Sequence, residues 1–155
     1  MKISIAVAAT LFYVATASAS ELSCKVVGIS DGDTITVLCQ DNERLKIRLA
    51  EIDAPEKAQP FGARSKQSLS DLCFGKQVEI AKLARDRYGR TVARIQCDGT
   101  DANAEQVRRG MAWVYDKYVK DRSLYQLQDQ AKAEHIGLWA DDSTTPPWVW
   151  RKARR

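Results

Sequence analysis

An Asp-Gly pair, Asp31-Gly32, separates two runs rich in β-branched residues, Cys24–Ser30 (CKVVGIS) and Thr34–Cys39 (TITVLC). Asp-Gly suits a two-residue turn whose twist matches that of the flanking strands, so the segment predicts a β-hairpin. A hairpin closed at that turn pairs positions whose numbers sum to 63, and Cys24 with Cys39 satisfies the sum. One local signal thus predicts a strand pair, its register and a covalent staple across it. The chain has four cysteines, which leaves Cys73 and Cys97 for a second bridge. A cysteine metal site would need close spacings such as C-x-x-C, and the chain contains none.

Disulfides belong to oxidising compartments, and the N-terminus predicts delivery to one. Lys2, the apolar stretch from Ile3 to Ala15 and the small-x-small triplet Ala17-Ser18-Ala19 read as a secretory signal peptide over residues 1–19, cleaved after Ala19. A membrane-spanning helix needs ~20 apolar residues, more than this run offers. The expected destination is the periplasm or the medium, with no anchor left after cleavage. Cleavage removes one charge, Lys2, and lowers the formal net charge from +4 to +3. So mild an excess says little about nucleic acid by itself. Arg151, Lys152, Arg154 and Arg155 concentrate positive charge at the C-terminus. That run is either a solvated tail or a set of phosphate contacts.

Beyond the hairpin, Arg44–Ile52 (RLKIRLAEI) alternates, with Leu45, Ile47 and Leu49 on one face, and reads as a third strand. Asp41-Asn42 leads into it and Ala54-Pro55 ends it, because proline removes a ladder donor. From Phe61 to Phe74 the apolar period lengthens through Ala63, Leu69, Leu72 and Phe74, which predicts a helix closed by Gly75. Val78–Ala84 and Thr91–Gln96 return to strand character on either side of a polar turn, RDRYGR. After a turn at Asp98-Gly99, Asn103 is expected to cap a short helix reaching Arg109. Ser123–His135 reads as the last helix, with Leu124, Leu127 and Ala131 inward. Three strands, a helix, a hairpin and two helices is the layout of a five-stranded OB-fold barrel with three helices, an α+β fold with a mainly β core. The domain is placed at 20–140. Residues 141–155 form an extension in which Trp148 and Trp150 are expected to pack back on the domain.

Three short segments carry the chemistry. They are Asp31–Thr34 (DGDT), Arg48–Glu56 (RLAEIDAPE) and Asp86–Arg90 (DRYGR). Asp33, Asp53 and Glu56 offer hard oxygen donors suited to a divalent cation. Arg48 and Arg90 can clamp phosphate oxygens with paired hydrogen bonds. Taken singly, each has a plainer reading: turn aspartates, an edge arginine, an Arg90–Asp86 pair within a hairpin. Together they suit phosphodiester chemistry. An ideal period-two strand puts Arg48 and Asp53 on opposite faces, so a bulge or the turn at Ala54-Pro55 must re-aim one of them. The single histidine, His135, lies outside every motif and reads as an exposed helix residue. No Gly-rich nucleotide loop is present.

In this order and spacing, GISDGDTITV, IRLAEIDAPE, DRYGRTVARI, VRRGMAWVY and GLW resemble the thermonuclease family, from about Cys24 to Trp139. The resemblance implies an OB-fold endonuclease that uses Ca²⁺, hydrolyses both DNA and RNA and leaves 3′-phosphate ends. Carried over by residue, it implies calcium ligands at Asp33, Asp53 and the Ala54 carbonyl. It also implies a general base at Glu56, phosphate-binding arginines at Arg48 and Arg90, and nucleotide contacts from Arg87, Tyr88, Tyr115 and Tyr118. Many relatives have threonine at the Ala54 position; a carbonyl ligand survives that change and a hydroxyl contact does not. The competing reading is a non-catalytic OB-fold module that binds single-stranded nucleic acid. A monomer is expected for a small secreted nuclease.

Overall fold

The structure is a computed structural model that describes residues 24–40, 42–141 and 143–154. The signal-peptide reading of residues 1–19 falls outside the described residues. Strands β1 (Cys24–Asp31) and β2 (Thr34–Cys39) pair antiparallel, as the Asp-Gly signal predicts. The turn itself is Gly32-Asp33, one residue later than expected, with Asp31 opposite Thr34. Two β1 bulges, between Val26 and Gly28 and between Ile29 and Asp31, absorb the offset and restore Cys24 opposite Cys39. Each bulge inserts one unpaired residue and bends the strand. The expected bridges are both present, Cys24–Cys39 and Cys73–Cys97.

Shifting the turn puts Asp33 at its tip. Gly32 is demanded there by space: a Cβ would lie 1.8 Å from Ser65 Oγ and 2.9 Å from the Ala54 Cβ. The Gln106 amide donates to the Gly32 carbonyl at 2.7 Å and to the Ser65 carbonyl at 3.1 Å. Helix α1 (Gly62–Cys73) therefore rests directly on the turn. Its inward stripe is Gly62, Ser65, Leu69, Leu72 and Cys73, whereas the expected members Ala63 and Phe74 are exposed.

Strand β3 (Arg44–Leu49) pairs antiparallel with β2. After a break, Ile52–Asp53 forms the short β4, which pairs with β8 (Trp113–Val114). Strands β5 (Gln77–Arg85) and β6 (Thr91–Cys97) form the second hairpin, and parallel pairing of β3 with β6 closes a five-stranded barrel in the order β3-β2-β1-β5-β6. Ile35, Val37, Ile47, Leu49, Ile95 and Leu69 fill it, each essentially without solvent contact. Such burial contributes roughly 1.5–3 kcal/mol per large aliphatic side chain.

Strand β7 (Thr100–Asp101) leads straight into α2 (Ala102–Arg108). The helix begins two residues earlier than expected, so Asp101 caps it, accepting from Ala104 N at 2.9 Å. Asn103 is instead fully buried. Its amide donates to the Ala50 carbonyl at 2.8 Å and its oxygen accepts from Ile95 N at 3.1 Å, tying the end of β3 to β6. Helix α3 (Ser123–Ala133) buries Leu124 and Ala131 and leaves Leu127 partly covered. His135 lies beyond its end, exposed, with φ 52°. The helix count departs from the expected three: the extension forms α4 (Pro147–Ala153), with Pro147 at a first-turn position that tolerates a missing N–H. Trp148 packs back on the domain as expected, stacked on Tyr115.

Candidate active site

Asp33, at the tip of the first hairpin, is 5% exposed and Asp53, on β4, is 1% exposed. Arg48 joins them. Its Nη2 lies 3.0 Å from Asp53 Oδ1 and 3.3 Å from Asp33 Oδ2. Its Nη1 donates to the carbonyls of Leu49 at 2.5 Å and Ile52 at 2.8 Å. Asp33 also accepts from the Ala54 amide at 2.8 Å through Oδ2 and from the Thr34 hydroxyl at 2.9 Å through Oδ1. These bonds bring Asp33, Arg48, Asp53 and Ala54 together across about twenty residues of chain.

The re-aiming that Arg48 and Asp53 require occurs at Ala50-Glu51, earlier than Ala54-Pro55. Glu51 has φ 67°, a left-handed conformation that non-glycine residues adopt at a cost. Its buried carboxylate accepts from Lys120 N at 2.6 Å and Asp121 N at 2.8 Å and pairs with Arg94 at 3.1 Å. Its carbonyl accepts from Tyr115 N at 2.8 Å. Residue 51 thus reverses the chain between the arginine and the aspartate, and the 115–121 segment holds the reversal in place. No residue type or spacing in the sequence marks a left-handed glutamate, so Glu51 is a determinant that only the fold reveals.

Glu56 lies three residues beyond Asp53. Its amide donates to the Gln59 side chain at 3.1 Å and its carbonyl accepts from Gln59 N at 2.8 Å. Gly62 allows α1 to start against this loop, since a Cβ there would lie 2.2 Å from the Glu56 carbonyl oxygen. The Glu56 carboxylate is partly exposed and accepts from Arg151 Nη1 at 2.7 Å. The same guanidinium meets Asp53 with two bonds, Nη2 to Oδ2 at 2.7 Å and Nη1 to Oδ1 at 3.2 Å. By sequence alone the basic C-terminal run is either a solvated tail or a set of phosphate contacts. The structure places Arg151 on the carboxylates themselves, 98 residues from Asp53 in sequence.

Arg90, Arg87 and Tyr88 stand apart in the β5–β6 turn. Arg90 Nε pairs with Asp86 Oδ2 at 2.7 Å, and Asp86 Oδ1 accepts the amides of Tyr88 and Arg90, each at 2.9 Å. Arg87 donates to the Tyr88 hydroxyl at 2.7 Å, and both arginines lie over the Tyr88 ring, at 4.8 and 5.6 Å. Across the barrel seam Arg48 is in register with Val92, two residues beyond Arg90. Among the described residues the Arg90 side chain bonds to Asp86 and not to Asp33, Asp53 or Glu56. Tyr115 stacks on Trp148, and Tyr118 meets it edge-on at 5.0 Å.

Crowding of acids sets the electrostatics. Burial pushes the Asp53 carboxyl above its usual range, Arg151 and Arg48 pull it back, and the Asp33 charge adds to the push. Burial, then the charge of Asp33, raises Asp31 to about 6. Burial works against the Arg151 charge, but the bonds from Asp53 and Glu56 outweigh it and hold the guanidinium firmly protonated. As placed, no three acidic, imidazole or thiol groups converge to cage an ion among the described residues. The donor set nonetheless suits a hard divalent cation: Asp33 and Asp53 are oxygen donors that already face one shared positive charge at Arg48.

The family described as staphylococcal nuclease homologue matches residues 46–141, from β3 through the 3-10 turn at Gly137–Ala140. The chain belongs to this family. An uncharacterized endonuclease of Haemophilus influenzae is 48% identical over 133 residues, covering 86% of this chain and 75% of the relative. The micrococcal nuclease of Shigella flexneri is 40% identical over 159 residues, covering 96% and 91%. An uncharacterized endonuclease of Escherichia coli O157:H7 is 41% identical over 133 residues, covering 85% and 86%. The barrel agrees with the staphylococcal nuclease fold, and the matched segment contains Arg48, Asp53, Glu56 and Arg90 while Asp33 and Arg151 lie outside it.

Proposed function

We propose that this member of the staphylococcal nuclease family is an exported, calcium-dependent, sugar-nonspecific endonuclease that hydrolyses DNA and RNA to 3′-phosphate ends. The observation that carries the reading is the shared cluster of Asp33, Arg48 and Asp53 with Glu56 three residues on. Asp33, Asp53 and the Ala54 carbonyl would hold Ca²⁺, which when bound supplies charge neutralisation and polarisation at the phosphate. Glu56 acts as general base, taking a proton from the attacking water. The water oxygen bonds to phosphorus as the bond to the 5′ oxygen breaks, giving a 3′-phosphate and a 5′-hydroxyl. Arg48 and Arg90 meet the negative charge that builds on the phosphate oxygens. Tyr88, Tyr115, Tyr118 and Arg87 are the candidate nucleotide contacts. The two disulfides support export, since such bridges persist in oxidising compartments.

The test is incubation of the chain from Ser20 onward with plasmid DNA and with RNA, in Ca²⁺ or in chelator, beside Glu56→Gln. Degradation of both polymers is expected only with calcium, and the variant should lose about 10²–10⁴-fold in rate. Salt-sensitive binding without cleavage would instead establish a single-stranded nucleic-acid-binding module.

A further inference from the structure

The C-terminal helix carries two groups that mimic what the candidate active site is built to receive. Arg151 puts a fixed positive charge on Asp53 and Glu56 through three hydrogen bonds of 2.7–3.2 Å. Trp148 lays its ring parallel to that of Tyr115, a candidate nucleotide contact, with 5.5 Å between centroids and 3° between planes. We propose that α4 is an intramolecular occupant of the site: Arg151 competes with the divalent cation for Asp53 and withholds Glu56, and Trp148 covers Tyr115. This rests on the calcium and nucleotide reading above.

The attachment is suited to release. Among the described residues, side-chain hydrogen bonds from α4 to the rest of the molecule come from Arg151 alone, and that side chain is 37% exposed. Its partner Asp53, on β4 and paired there with Trp113 of β8, has a side chain only 2% exposed. A guanidinium at the solvent edge can leave outward, whereas the carboxylate cannot follow. Because helix and site share one chain, the competitor acts at a high effective concentration, and an occupied site binds a rival ligand in proportion to the fraction left open. Upstream, Gln59 donates to the Thr145 carbonyl at 2.5 Å, which keeps the connector beside the Glu56 loop when the helix lifts.

Calcium affinity, measured by titration calorimetry on the chain from Ser20 onward, separates the possibilities. Arg151→Gln should tighten calcium binding by about tenfold. Trp148→Ala, which leaves every acid and arginine in place, should tighten it in the same direction. Hydrogen exchange at the amides of residues 148–153 should rise when calcium is added to the wild type. Measurable calcium binding with equal or weaker affinity in both variants would overturn the occupant role and leave the calcium reading intact. Calcium binding by none of the three proteins would overturn the calcium reading and the competition with it. Thermal melts of each variant confirm that a folded protein was titrated.

Discussion

The two arginine-bearing regions share a chemistry and differ in how they are held. Arg48 is embedded: two carbonyls and two buried carboxylates take its donors, and beyond its own neighbour Leu49 its partners lie on β4 and in the first hairpin's turn. Arg90 is local: Asp86, four residues away in an exposed turn, takes its Nε and caps its amide. Residues with the same expected role can thus depend on the tertiary fold to very different degrees. Removing the first should damage the scaffold as well as the chemistry, and removing the second should damage only the chemistry.

That contrast can be broken or sharpened by four substitutions, ordered by their effect on stability. Arg48→Ala leaves Asp33 and Asp53 buried and without their shared cation, and is expected to cost about 3–5 kcal/mol in chemical denaturation while abolishing cleavage. A stable, inactive Arg48→Ala would show that the buried cluster is less interdependent than its geometry implies. Gly32→Ala should cost about 1–3 kcal/mol, because α1 and the Asp33 turn must separate to admit the methyl group; an unchanged melting temperature would mean that Ser65 yields freely.

Asp31→Asn tests the crowding of acids by pH. The wild-type carboxyl is raised to about 6 by burial and by Asp33. Below about pH 4 it is protonated in both folded and unfolded chains and carries no penalty. As pH climbs through 6 the folded state must ionise it, so stability is lost over that interval. In chelator, Asp31→Asn should match wild type at pH 4 and exceed it by about 1–2 kcal/mol at pH 7, after allowing for partial solvent access. A constant difference across that range would remove Asp31 from the electrostatic network. Arg90→Ala should change stability by about 0–1 kcal/mol, as for other surface pairs, yet slow cleavage by about 10²–10³-fold. A stability loss as large as that of Arg48→Ala would erase the distinction between the two regions.

The same division governs what could be read in advance. The hairpins, the third strand and the helices over α1, α2 and α3 were legible because alternation, turn residues and caps act within a few residues. Asn103 shows the limit of that reading: a good cap residue by type is a buried tie between Ala50 and Ile95 by position. The barrel could be inferred from element order, but its closure along β3 and β6 joins residues more than forty apart. Arg151 stood out only as one of four clustered positive charges. Nothing local distinguished a solvated arginine from one bonded to Asp53.

By itself, then, the sequence determined the covalent pairing, the strand-rich core and the three segments that carry the acids and arginines. Tertiary structure alone decided that the turn falls on Gly32-Asp33 with two bulges absorbing the offset, that Glu51 reverses the chain to bring Asp53 to Arg48, and that the C-terminal helix covers the acids. The reason is range. Propensity, alternation and capping are set by neighbours along the chain. Left-handed turns, register offsets and the partner of a buried carboxylate are set by whatever the closed barrel brings alongside.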